Sequence, residues 1–204
     1  MSDLAPLVAR APLASIAKPG RTGVSSRAAG VHVRVFGHVP MATVIARQGR
    51  DGEAIAALSA WLGAAVGDAP LRSADGNRAV IGVSPGQWLA LARNPDGDAA
   101  MTLLRASLRE AAAVADQGDG RVVVHVSGPR VRDALCKGIA IDLDPRVFRP
   151  GDSAGTVVAH LAVQISCLDA APAYEIIGAA STAGNLWHWL ESSAAEFGLD
   201  VVHA

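Results

Sequence analysis

Six histidines, at positions 32, 38, 125, 160, 188 and 203, and two cysteines, Cys136 and Cys167, have the chemistry to hold a metal or attack an electrophile. A zinc-type site gathers such ligands at short spacing, and none of these residues forms a close pair of that kind. Two cysteines are too few for a disulfide framework, so both are read as buried apolar thiols in a reducing compartment. Ser127 has no G-x-S-x-G elbow around it. Standing before Gly128-Pro129, it is expected to cap a helix. His188 lies between Trp187 and Trp189. At helical spacing these indoles point about 200° apart, so the three side chains share no face. One tryptophan is expected in the core, and an outward one would suit anchoring to a partner. His125 sits on the strand face opposite Val124 and Val126 and is read as a half-buried, satisfied histidine. Arg130, Arg132, Arg146 and Arg149 are read as a solvated face. The alternative is a polar rim against another chain. No G-x-G-x-x-G follows a strand, so no pyrophosphate cradle is in view. The expected site set is none catalytic, none cofactor-binding and none metal-binding.

The elements that would position these residues follow from periodicity. Residues 1–30 hold Pro6, Pro12, Pro19, Gly20, Gly23 and Gly30, which forbid a long helix. Leu4, Leu7, Val8, Leu13 and Ile16 make an apolar arm expected to order across a partner. Residues 31–37 and 42–46 read as extended, with Val31, Val33 and Val35 on one face. A helix is predicted over 51–66, capped by Asp51, striped by Ile55, Leu58, Leu62 and Ala65, and stopped at Gly67. Strands at 78–83 and 87–92 flank Ser84-Pro85-Gly86-Gln87, a type II turn by composition. After a turn at Asn94-Pro95-Asp96-Gly97, a helix presents Met101, Leu104, Leu108 and Ala111, and a strand follows at 112–116. The second half repeats the order. It has a strand at 121–127, a helix opened by Ser127-Gly128-Pro129, strands at 155–161, 162–168 and 173–178, a helix over 182–197 and a last strand at 199–202. The final helix carries Leu186, Trp189, Leu190, Ser193 and Phe197 on roughly one face. The fold class expected is α+β: two ferredoxin-like βαββαβ halves, 31–116 and 117–204, behind an extended arm, 1–30.

Composition narrows the function classes. At 204 residues the chain can bury a large core without disulfides or metal. A net charge of −1 and 4% aromatic residues give no basic face with stacking rings, so nucleic acid is not an expected partner. No run approaches the ~20 apolar residues of a membrane span, and the N-terminus lacks the plan of a signal peptide. A cytoplasmic protein with no membrane partner is expected.

The second half carries a resemblance. Val126-Ser127-Gly128-Pro129-Arg130, Lys137-Gly138, Ile141-Asp142-Leu143 and Arg149-Pro150-Gly151 are similar in order and spacing to the aminomethyltransferase (glycine cleavage T protein) superfamily. The run Leu186-Trp187-His188-Trp189-Leu190-Glu191, with Glu196-Phe197-Gly198, resembles the ending of gamma subunits of heterotetrameric sarcosine oxidase. The match is close over residues 115–200 and in outline over 31–115. It implies the aminomethyltransferase-like folate-binding fold and alpha, beta and delta subunits as partners. The complex would oxidise sarcosine to glycine with hydrogen peroxide, and tetrahydrofolate would be a co-substrate. FAD, FMN, NAD and zinc would sit on the other subunits and none in this chain. Folate-using members carry a glycine-containing turn with acidic residues in a hairpin, whereas here the stretch is Val158-Ala159-His160-Leu161-Ala162-Val163-Gln164, without a carboxylate. Productive folate binding by this chain is therefore not expected. Two alternatives are the equivalent subunit of a related amine dehydrogenase, such as one acting on N-methylglutamate, and a free-standing folate-binding one-carbon protein.

Overall fold

The computed structural model describes residues 11–26, 28–93 and 96–204. In chain order the strands are β1 (Gly20–Thr22), β2 (Val31–Val35), β3 (Met41–Ala46), β4 (Arg72–Asp75), β5 (Arg78–Ser84), β6 (Gln87–Ala92), β7 (Ala112–Asp116), β8 (Arg121–Ser127), β9 (Ser153–Val158), β10 (Leu161–Asp169), β11 (Ala173–Ala179) and β12 (Leu199–His203). The helices are α1 (Asp51–Leu62), α2 (Gly97–Leu108), α3 (Val131–Leu135) and α4 (Ala183–Ala194). The chain is α+β, as expected.

A five-stranded sheet runs β4-β5-β6-β3-β7 and a seven-stranded sheet runs β1-β12-β2-β8-β11-β10-β9. In the first sheet, β3-α1-β5-β6-α2-β7 is a split β-α-β arrangement, and β4 is added at one edge. The second half repeats it as β8-α3-β10-β11-α4-β12. Strand β2 departs from the expected grouping. It falls within residues 31–116, yet it lies in the seven-stranded sheet, parallel to β12 and antiparallel to β8. The physical reason is at its ends. Gly30 and Val31 donate to the Phe197 and Gly198 carbonyls, and Phe36 donates to Val123. Alternating valines look the same whichever sheet takes them.

Each sheet buries one face under its own helices. Val44, Val80, Trp88 and Ala90 meet Leu58, Trp61, Leu104 and Leu108. Val33, Val124, Tyr174 and Ile176 meet Leu135, Leu186, Trp187 and Leu190. Each fully buried Val, Leu or Ile among them contributes ~1.5–3 kcal/mol. The opposite faces meet each other through Met41, Ile81, Leu89, Leu91, Val123 and Ile177. The result is a helix–sheet–sheet–helix stack with a seam between the sheets.

Several local expectations change. Helix α1 ends at Gly63, whose φ of 83° is left-handed, rather than running to Gly67. Arg50, not Asp51, occupies the cap position, and Asp51 and Glu53 suit the positive end of the helix dipole. Ser127 does not cap α3, whose cap position is Arg130. In α4 the buried tryptophan is Trp187, while Trp189 is half-buried. Cys136 is exposed and only Cys167 is buried. The Pro85-Gly86 turn forms as read, with Gly86 at φ 68°.

Part of the arm is anchored on its own chain. Leu13 and Ala17 are buried in the second core. Strand β1 pairs with β12, and the His203 ring lies 2.6 Å from the Ala17 carbonyl oxygen. Leu4, Leu7 and Val8, and Asn94-Pro95 of the next expected turn, lie outside the described residues.

Candidate functional site

The most unusual chemistry in the molecule lies in the seam. Strand β11 places Tyr174, Ile176 and Gly178 toward the helices, so Glu175 and Ile177 point at the other sheet. Glu175 is fully buried at 0% exposure. Its cross-strand neighbour on β8 is His125, brought to the same face by the antiparallel register. From the five-stranded sheet come Arg72, at the start of β4, and Arg93, just after β6.

These four side chains converge. Arg72 Nε donates to Glu175 Oε1 at 2.9 Å. Arg93 Nη2 and His125 Nε2 both reach Glu175 Oε2, the histidine at 3.0 Å. The nitrogen of His125 that faces a carboxylate carries the ring proton. It therefore cannot accept from Arg93 Nη2, 3.2 Å away, and that approach is a close contact only. Phe36 closes the cluster. Its ring stands edge-on to His125 at 4.6 Å, and the Arg93 guanidinium lies 4.9 Å above it. Ser166 neighbours Glu175 on β10 and continues the polar row through Ser153 and Gln164, hydrogen-bonded at 2.9 and 2.7 Å.

Burial alone would raise the Glu175 carboxyl. The His125 hydrogen bond and the Arg72 and Arg93 charges overcome it and hold Glu175 down at about 2. Burial likewise lowers Arg93, against the pull of Glu175. A carboxylate held this low is a weak proton acceptor at neutral pH, and both its oxygens are engaged away from solvent. What the arrangement does is join the two sheets, two arginines from one to a carboxylate and a histidine from the other.

The residues singled out from the sequence fall elsewhere, apart from His125, which is satisfied and half-buried as read. His188 is exposed on α4, and Trp189 packs on Gly138, where an added Cβ would lie 2.6 Å from the indole nitrogen. Arg130 pairs with Asp133 at 2.6 Å and covers Phe197. Arg132 donates to the Tyr174 hydroxyl at 2.8 Å, while Arg146 pairs with Asp144. Arg149 donates to the Arg146 carbonyl at 3.1 Å, so Arg146 and Arg149 sit together, while Arg130 and Arg132 are engaged by Asp133 and by Tyr174. Sequence reading missed Glu175, Arg72 and Arg93. The available signal was a lone acid inside the apolar run Tyr174-Glu175-Ile176-Ile177, in the strand antiparallel to His125. Among the described residues no group of three or more His, Cys, Asp or Glu is placed to hold a metal ion.

The comparison with known proteins is decided by one match. A sequence profile described as "Sarcosine oxidase, gamma subunit family" matches residues 46–196. The chain belongs to the sarcosine oxidase gamma subunit family. It is also similar to a chain of the heterotetrameric sarcosine oxidase from Corynebacterium sp. U-96, solved in complex with pyrrole 2-carboxylate. That likeness has 26% identity and a TM-score of 0.77, and covers 92% of this chain and 95% of that one. The glycine cleavage system aminomethyltransferase T from Bartonella henselae shares the fold, with 13% identity and a TM-score of 0.63. The match covers 85% of this chain but 48% of that one, so this family member spans about half its length. No curated protein sequence matches the chain. Among the described residues, no helix is long and apolar enough to cross a membrane.

Proposed function

We propose that this gamma subunit is a non-catalytic component of a cytoplasmic heterotetrameric sarcosine oxidase. Its partners are the alpha, beta and delta chains. The complex converts sarcosine, water and oxygen to glycine, formaldehyde and hydrogen peroxide, or passes the one-carbon unit to tetrahydrofolate. FAD, FMN, NAD and zinc sit on the partner chains. The observation that carries this reading is the likeness to the Corynebacterium chain, which runs along nearly the whole of both molecules. The buried cluster supports the non-catalytic part, because its carboxylate is committed to holding the halves together. Two halves, 31–116 and 117–204, form one body, with β2 lent by the first half to the second sheet. Holding neighbouring subunits in fixed geometry would keep a reactive imine or formaldehyde from escaping.

The test is co-expression of this chain with its three partner chains, followed by oxygen-electrode assays. Sarcosine-dependent oxygen uptake is expected from the four-chain complex and not from this chain alone. The isolated chain should give no heat with tetrahydrofolate in calorimetry. Turnover or firm pterin or flavin binding by the isolated chain would overturn the reading. Activity with N-methylglutamate in place of sarcosine would reassign the substrate.

A further inference from the structure

The two ends of the seam treat charge differently. Along the inner face of β8 and β11 the register pairs His125 with Glu175, then Val123 with Ile177, then Arg121 with Ala179. At the first end the guanidiniums of Arg72 and Arg93 meet a carboxylate supplied by the chain itself. At the other end Arg121 stands opposite an alanine. Its Nε donates to Gln117 Oε1 at 3.3 Å, and its two Nη nitrogens have no partner among the described residues. The nearest acids along the chain are engaged elsewhere. Asp116 pairs with Arg105, and Asp119 lies 3.5 Å from His38.

Residues of both sheets line a cavity of about 280 Å³ at this end. Leu89 and Ile177 reach it from opposite sheets and carry the apolar seam into it, and Val83 on its open side is 44% exposed. Gln87 and Gln164 add amides. The Gln164 amide donates to Ser153, whereas the Gln87 amide has no partner among the described residues. The lining holds one guanidinium and no carboxylate. A guanidinium set against apolar walls binds a carboxylate through two parallel N–H bonds, and the low dielectric strengthens the pair. An apolar cavity with a few placed polar groups has the make-up of a small-ligand site. With no acid in the lining, an ammonium group would find no counter-charge, so the cavity selects against zwitterionic amino acids.

We propose that this cavity binds a small aliphatic monocarboxylate, with the carboxylate on Arg121 and the hydrocarbon tail between Leu89 and Ile177. The ligand takes at this end of the seam the place that Glu175 takes at the other. It bridges the two sheets, so its binding stabilises the chain by mass action. The inference goes beyond the subunit reading and does not rest on it.

The experiment titrates the isotope-labelled full chain with pentanoate. The NMR signals of the Arg121 Nε–H and the Gln87 amide should shift and saturate, with a dissociation constant of about 0.1–1 mM for a ligand this small. Pentylamine, which has the same tail and the opposite charge, should leave them unmoved, and so should glycine. Arg121→Met should weaken pentanoate about 10-fold or more. Val83→Glu brings an acid to the cavity from an exposed position and should block pentanoate to the same degree, while Val83→Gln should not. Because Val83 is exposed, this second pair decides the matter even if Arg121→Met fails to fold. Absence of a saturable shift up to about 50 mM pentanoate would overturn the proposal. So would an equal response to pentylamine, or binding that survives Val83→Glu. Sarcosine-dependent oxygen uptake by the four-chain complex tests the subunit reading separately, and either idea can fail without the other.

Discussion

The seam between the two sheets is built of two unlike materials. One stretch is apolar, with Met41, Ile81, Leu89 and Leu91 of one sheet against Val123 and Ile177 of the other. The adjacent stretch, one step along the same strands, is the ion cluster of Glu175, Arg72, Arg93 and His125. Apolar burial is non-directional, and a small slide between the sheets would leave much of its free energy in place. The ion cluster is directional, because a slide would strand buried charges. The difference assigns roles: the apolar stretch contributes most of the adhesion, and the charged stretch fixes how one sheet sits on the other.

The largest expected effect separates the two stretches by removing one partner of the cluster. Glu175→Gln leaves Arg72 and Arg93, both part-buried, without their shared counter-charge, and the expected loss is ~3 kcal/mol of unfolding free energy. Chemical denaturation at neutral pH measures it. The pH dependence has a fixed sign. The folded carboxyl is depressed to about 2, well below its ordinary value. Its contribution is therefore fully present above the unfolded value and is lost as pH falls through the carboxylate range toward the folded value. A triple replacement, Glu175→Leu with Arg72→Met and Arg93→Met, should be near neutral in stability at pH 7 and lose this acid-linked term. If wild type and the triple variant weaken in parallel from about pH 5 to pH 2, the cluster is not the pH-sensitive part of the seam.

The apolar stretch should behave in the opposite way. Ile81 is completely buried at the centre of the seam. Ile81→Ala removes buried methyl groups and leaves a cavity, with an expected loss of about 3 kcal/mol. That loss should be the same at pH 7 and pH 4, since no titrating group is involved, and paired denaturation curves check it. A loss that grows in acid would mean that the two stretches are energetically one. Ile81 and Glu175 are on facing sheets, so a double variant also reports whether the two losses add or couple.

How much of this was legible in the sequence follows the range of the interactions. The Pro85-Gly86 turn is local, and Gly86 adopts the left-handed φ that its dipeptide calls for. The strand and helix order was readable because alternation and helical stripes are local too. Helix α1 stopping at Gly63 was not, because Gly63 and Gly67 are both competent stops and tertiary packing chose between them. Trp187 rather than Trp189 faces the core because the buried stripe runs Ala183, Leu186, Trp187, Leu190 and Ala194. Either indole fits a helix that is apolar on two sides. The lending of β2 to the other sheet is a pairing choice that its valines do not encode. The cluster was the least legible of all: Arg72 and Glu175 are 103 residues apart, and no short motif joins them. Its one trace was an acid in a strand that had no solvent face to give it.

The smallest expected effect lies outside the seam and serves to calibrate both stretches. The turn between β9 and β10 is made by Ala159 and His160, with φ of 46° and 71°. Both positions are left-handed, the geometry of a two-residue hairpin turn that Asn-Gly fits without strain. An L-residue with a Cβ is held there at a cost, since its β-carbon crowds the next carbonyl. Ala159→Asn with His160→Gly should therefore stabilise the chain by about 1 kcal/mol, read as a shift in denaturation midpoint at unchanged slope. Ala159 keeps its backbone bond to the Gly138 carbonyl in either form, so the gain comes from relieved strain and not from a new contact. Added to Glu175→Gln or to Ile81→Ala, the gain should be the same on both backgrounds, because the turn touches neither stretch. A gain that disappears on the Glu175→Gln background would show that loss of the cluster loosens the seven-stranded sheet as far as its β9–β10 edge. The cluster would then be holding the second half itself together as well as joining the halves.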